Sequence, residues 1–322
     1  MIDRGSAGAA FARVLVPLEA GGPNPDLVRV APFPPCARDR TIPPMGGTGW
    51  RPGQETAGLG QTATSGNGRR IAFTAATALF AVGAFGGLLG FSVIIGWFDN
   101  SDGGIHRVHD IGFGVLYGII LSAACLAMIR RPERKASAFF QVLVTVVAGL
   151  IAALASADGR YLFFPIIVAA SAAILFALHP ARADLFRPAL RPSGVLAALA
   201  LAGSVPIVWF GLTMARLQRT GISVDPHVKN DHWANMAAMA FAIVLVGLLA
   251  SARMWGWRLT AWCAGLGAAI FGLASIVFHR FPGTKVPYPG SEDIGWGLAA
   301  MIGGLAFIVV AEWEARRPQP AG

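Results

Sequence analysis

Charge is scarce in this chain: 13% of its 322 residues are Asp, Glu, Lys or Arg, while 55% are hydrophobic. Soluble domains average about 25% charged residues, so most side chains here must face lipid or other helices. Cysteine is scarcer still. Cys36, Cys125 and Cys263 have no C-x-x-C spacing, which excludes a disulfide framework and a zinc knuckle. Cys125 and Cys263 lie within apolar runs, where a thiol packs as a small hydrophobe. No Asp, Glu, Lys, Arg or His stands at the middle of any long apolar run. Such residues mark proton relays and ion pathways, so their lack disfavours a standard ion-coupled pump, a retinal Schiff base and a haem held by facing mid-membrane histidines. There is no P-loop and no G-x-S-x-G motif.

What is present is a series of apolar runs. A hydrocarbon core about 30 Å thick needs roughly 20 such residues per helix. Runs of that length occur at about 71–98, 109–129, 137–157, 161–179, 193–215, 232–252, 258–278 and 294–313. The expected fold is an all-α integral membrane bundle of about eight helices over 71–314, followed by a short tail, 315–322. The net charge of +9 sits in short flanking loops, which argues against a nucleic-acid partner and for the bilayer itself. Arg69, Arg70, Arg130, Arg131, Arg134, Lys135, Arg182, Arg187, Arg191, Arg253, Arg258, Arg316 and Arg317 all fall on the side shared by both termini. The positive-inside bias therefore predicts cytoplasmic termini. Trp97, Trp209, Trp233, Trp255, Trp257, Trp296 and Trp313 stand near predicted helix ends, as headgroup-level indoles do. Gly86, Gly90, Gly114 and Gly118 have the small-residue spacing that lets helices approach in lipid.

Residues 1–70 are rich in Gly, Pro and Arg without any period, and predict a disordered cytoplasmic segment. They carry neither a secretory signal nor another targeting pattern. A translation start downstream, for instance at Met45, is an expectation that N-terminal sequencing checks.

The second and sixth runs are alike: His109 opens one and His232 the other, and Arg130 and Arg253 follow at equal spacing. Leu154–Ser156 matches Leu273–Ser275, and Trp97-Phe98 matches Trp209-Phe210. The pattern points to a parallel repeat of four and four helices about an axis along the membrane normal, a plan common among transporters.

The predicted outer face gathers Asp99, Asp102, His106, His109, Asp110, Asp158, Asp225, His227, Asp231, His232, His279, Glu292 and Asp293. If the turn from His106 is helical, His106 shares a face with His109 and Asp110. Imidazole and carboxylate are ligands of divalent metals. His109, His232 and His279 are the candidate ligands, with Asp110, Asp158 and Asp231 placed to orient them. The plain alternative is that these are boundary residues, with Asp as helix N-caps and Asp225-Pro226 as a turn. His179, before Pro180, reads as a helix-end residue on the opposite face, bonding terminal carbonyls. Ser122, Gln141 and Ser171 read as hydrogen-bond partners between helices.

Leu178-His179-Pro180-Ala181-Arg182, Asp225-Pro226-His227-Val228, His232–Ala237 and Glu312–Arg317 resemble segments of a family of multi-pass membrane proteins from GC-rich bacteria that has no assigned activity. The resemblance covers His109 to the last helix and implies a bacterial plasma membrane. It implies nothing about chemistry. Three functions stay open: binding or transport of a small or amphipathic molecule, metal-dependent hydrolysis of a lipid amide or ester at the outer face, and scaffolding without catalysis.

Overall fold

The computed structural model describes residues 56–98, 106–186, 190–221, 226–279 and 294–317. Among them every regular element is helical, and eight helices are long and apolar enough to cross a membrane. They are α1 (Asn67–Ile95), α2 (Arg107–Met128), α3 (Ala136–Ser156), α4 (Gly159–Leu178), α5 (Gly194–Thr220), α6 (His232–Ser251), α7 (Trp257–Val277) and α8 (Ile294–Arg316). The bounds follow the apolar runs to within a few residues except at two ends. The helix carrying α1 begins at Thr56, inside the segment expected to be irregular. α5 runs on to Thr220, where the buried Gln218 donates to Asp158, Asp231 and the Val228 carbonyl.

Apolar side chains cover the outside of the bundle as well as its core. Leu79, Val82, Leu154, Val205, Ile302 and Val309 are exposed, whereas Gln141, Thr145, Asn235, Thr260 and Ser275 are buried. In lipid each buried polar group must find an internal partner. Gln141 in α3 donates to the Ile120 carbonyl of α2, and Ser122 donates to the Tyr117 and Ala81 carbonyls. Both carbonyl-rich neighbours of Ser122 belong to or abut the π-helical stretch Gly114–Ser122, whose wide turn loosens the ordinary bonding pattern. Gln141 and Ser122 are therefore bonds between helices, while Ser171 bonds the Ile167 carbonyl of its own helix.

α6 is the central element: 78% of its span is buried, against 17% of α5. It packs on α5, α3, α7 and α2. The packing has a two-fold pattern. α1 lies on α2 as α5 lies on α6, α3 meets α6 as α7 meets α2, and the α3–α4 and α1–α4 seams match those of α7–α8 and α5–α8. One packed pair, α3 with α5, lacks a comparable partner between α7 and α1 among the described residues. Residues in equivalent places meet across the centre. Ser137 and Thr260, 123 residues apart, share a 2.7 Å hydrogen bond. His109 and His232, at the same separation, bring their rings to 5.5 Å.

Close approach relies on absent side chains. A Cβ on Gly304 would stand 2.4 Å from the Gly265 carbonyl oxygen, and one on Gly118 would stand 2.5 Å from that of Gly90. Gly86, expected to pack likewise, faces open space. At the Arg-rich end Glu314 accepts from Ser193 (2.7 Å) and Arg253 (3.2 Å), tying α8 to the start of α5 and the α6–α7 turn. Gly304→Val should lower the unfolding temperature in mild detergent by several degrees, since overpacking costs about 1–3 kcal/mol. Gly303→Val, at a position with nothing within 4 Å, should leave it unchanged.

Candidate functional site

Four histidines gather at one end of the bundle. His106 caps α2 with helical backbone angles, so it stands one turn from His109 on the same face. The short helix Pro226–Lys229 carries His227. Asp231 then takes a left-handed conformation (φ 57°) and turns the chain sharply into α6, which opens on His232. That turn brings His227 back over the start of α6. His106 lies 5.0 Å from His227 and 5.1 Å from His232, ring centre to ring centre. His109 lies 5.1 Å from His227 and 5.5 Å from His232. The remaining pairs are 5.7 Å (His227–His232) and 6.5 Å (His106–His109). Trp233 backs the group at 4.8 Å from His109 and 5.2 Å from His227, and Phe113 closes it against His232. His109 and His227 are buried; His106 and His232 are half-buried and give the cluster its open side.

A second polar group lies beside it. Asp158 bonds the Arg160 guanidinium and backbone amide, which is an N-cap of the turn opening α4. Gln218 donates to Asp158 (2.9 Å), to Asp231 (3.2 Å) and to the Val228 carbonyl (2.9 Å). The Arg160 bond holds the Asp158 carboxyl well below the usual range. Burial, and then the charge of Asp158, push Asp231 up to about 6. Asp158 thus acts as the N-cap that its position suggested, but Asp231 makes no such bond and turns to Gln218 instead. Deeper, the Tyr161 hydroxyl donates to Asn235 of α6 at 3.2 Å.

Of the candidate ligands, His109 and His232 come together. His279 is half-buried at the end of α7, its Nδ1 2.8 Å from the Ile276 carbonyl, and no ring contact with the four is found among the described residues. Asp158 and Asp231 join each other through Gln218; Asp110 lies in the first turn of α2 beside His109. Asp99, Asp102, Asp225, Glu292 and Asp293 lie outside the described residues, as do residues 1–55 and Cys36. His106 and His227 were visible as polar residues of this face; what placed them in one group was the i, i+3 spacing and the turn at Asp231. Gln218, Tyr161 and Asn235 gave no signal, because their partners come from distant helices. Among the described residues no group of three or more His, Cys, Asp or Glu side chains could hold a metal ion.

At the other end His179 is fully buried against Phe73 and Phe139. Its Nδ1 accepts the Ala181 amide, so it bonds the chain beyond the helix rather than the terminal carbonyls expected for it. Burial lowers its pKa.

Below the polar end, α5, α6, α7 and α8 leave an apolar cavity of about 340 Å³. Ala200, Gly247, Ala264 and Ala268 form its floor, and the exposed Leu199, Pro206, Ala299 and Gly303 form a rim on the lipid-facing surface. Pro206 withdraws the amide that would reach the Ala202 carbonyl, leaving one polar acceptor in the wall. Trp296, read as a headgroup anchor, lines this crevice and packs on Phe210 and Phe271, and Trp233 is buried; Trp209, Trp255 and Trp313 are exposed, as is Trp262.

Fold and site together define an all-α, multi-pass membrane bundle with a histidine cluster at one end and an apolar crevice at bilayer depth. No family model, curated protein or solved structure matches this chain. Function has to be argued from its own residues.

Asp158 supplies a pH test. Its pKa is depressed by folding, so its contribution to stability is full above the unfolded value of about 3.9 and is lost as pH falls through the folded one. Asp158→Asn should cost about 1 kcal/mol near neutral pH and flatten the loss of stability below about pH 4, as read by thermal unfolding in mild detergent.

Proposed function

We propose that the protein binds an amphipathic molecule drawn from the bilayer, with an acyl chain or similar apolar tail in the crevice between α5 and α8. The supporting observation is the crevice itself: about 340 Å³, walled by small apolar residues and open on the lipid-facing surface. Ligand cavities run from about 300 to 1,000 Å³, so this one suits a single chain rather than a whole lipid. A narrower pocket extends it past Phe210 and Phe271 to Met239. Met239 stands two turns below His232, roughly 10 Å along the helix axis. A molecule whose tail fills the crevice would then carry its polar group near the level of the histidines and Asp231.

The same reading places the protein in a bacterial plasma membrane, with both termini cytoplasmic and the histidine end outside. The Arg-rich loops on one side support that orientation. A second reading, metal-dependent hydrolysis of a lipid amide or ester at the outer face, is favoured by the grouping of four imidazoles beside the Asp158–Asp231 pair.

The test uses a lipid bearing a photoactivatable alkyl chain, added to the protein in bilayer nanodiscs. Crosslinks should concentrate on α5 and α8. The Cβ of Gly247 would meet neighbours only at 3.6 and 3.9 Å, so Gly247→Leu fills the crevice without disturbing the fold. It should cut labelling of those helices by about tenfold with little change in unfolding temperature. Labelling spread evenly over the exposed faces of α1, α4, α5 and α8 would defeat the proposal.

A further inference from the structure

We infer, building on the binding of an amphipath proposed above, that the ligand of the crevice carries a hydroxyl at the far end of its chain, which donates to the Ala202 carbonyl of α5. Pro206 creates the need for that donor. It has no amide hydrogen, so the carbonyl four residues earlier, that of Ala202, loses its helical partner. Ala202 and Pro206 are both exposed, and both line the crevice. A helix carbonyl points along the axis toward the residue four ahead, so this one lies in the crevice wall between them.

Neither water nor a neighbouring side chain answers it. By helical rise, Ala202 lies about 12 Å along α5 from Gly194 at the Arg-rich end and about 24 Å from Gln218 at the other. Both distances put it inside the hydrocarbon, where a backbone group without a partner is costly. Ser204, the one hydroxyl residue lining the crevice among the described residues, donates instead to the Leu201 carbonyl at 2.7 Å. Its oxygen is left as a further acceptor in the same wall. Acceptors call for a donor: a hydroxyl supplies one, whereas a methyl group or an ether oxygen does not.

The position of Ala202 says where on the ligand that hydroxyl belongs. Gln218 bonds Asp231 and so marks the level of the polar end. An extended chain of stearoyl length, with its polar group at that level, reaches Ala202 with its last carbons. Between the two points the path is apolar, past Phe210, Phe271 and Met239 and then along Ala264, Ala268 and Gly247. The ligand is therefore polar at both ends, with a head beside Asp231 and a hydroxyl beside Ala202. A chain ending in methyl would cover the carbonyl with hydrocarbon and leave it unmet.

The experiment uses full-length protein in bilayer nanodiscs and three monoacyl lipids. All carry the same diazirine-bearing stearoyl chain, which ends in a methyl, a methoxy or a hydroxyl group. Crosslinks to α5 and α8 are quantified by peptide mass spectrometry. In the wild type the hydroxyl probe should label these helices about three- to tenfold more than either of the others, as one net hydrogen bond allows. Pro206→Ala supplies the missing amide, so it should erase that preference while the methyl probe still labels. Equal labelling of α5 and α8 by all three probes in the wild type would overturn this inference and leave the binding of an amphipath standing. A hydroxyl preference that persists in Pro206→Ala would do the same. No enrichment on α5 and α8 with any probe would overturn both. If Pro206→Ala misfolds or takes none of the probes, the wild-type comparison decides.

Discussion

Close packing around α6 governs this molecule. A helix buried on nearly every side can be approached only if its own side chains are small, and α6 offers Ala234, Ala237, Ala238, Ala240, Ala242 and Gly247. α2 answers with Gly112, where a Cβ would stand 2.3 Å from the Met236 sulfur. Between lipid-solvated helices there is little hydrophobic drive to associate, so such close packing supplies the attraction. α3, α5 and α7 also pack directly on α6, and the remaining helices lie farther out.

The bilayer then dictates where polarity goes. Charges are expelled to the two ends, and several polar side chains left inside are tied to a backbone or side-chain partner: Gln141 to Ile120, Ser137 to Thr260, Tyr161 to Asn235. The two ends differ in kind. The Arg-rich end is closed by ion pairs: Arg253–Glu314 fastens the α6–α7 turn to α8, and Arg258–Glu312 joins α7 to α8. The other end concentrates imidazoles and carboxyls at the head of the central seam, where buried polar groups are costly. A fold that only had to end its helices would keep these groups at the rim.

The spans were legible because a continuous apolar run of fixed length has one reading in lipid, and all eight appear. The histidine group was legible in part. The likeness of His109 and His232 in the sequence foreshadowed their meeting, as α2 and α6 hold corresponding places in the packing. His279 carried the same chemistry but follows α7, whose equivalent is α3, and nothing at the end of α3 matches it. His227 depended on the left-handed turn at Asp231, a conformation uncommon for any residue with a side chain. Gln218 lay beyond the expected end of α5; the extra turn exists because its amide serves two carboxylates and a carbonyl, which no local pattern encodes. The crevice could not be read at all, because a cavity is what four helices fail to fill.

That failure is uneven between the halves. In the seam of α1 with α4, Phe73, Thr77 and Leu175 are fully buried, and α1 is interrupted by a π-helical stretch, Gly83–Gly87, and by Leu89 at φ 61°. In the corresponding seam of α5 with α8, the facing residues are Ala200, Ala202, Gly203, Ala299, Ala300 and Gly303, and the gap stays open. Two-fold packing on its own would treat both seams alike. The features shared by the halves converge on the axis and build the histidine cluster, while the feature they do not share sits off the axis and faces lipid. Packing economy favours closing such a gap, since unfilled volume forfeits contacts on every side, so the small residues that hold this one open are best understood by what enters it.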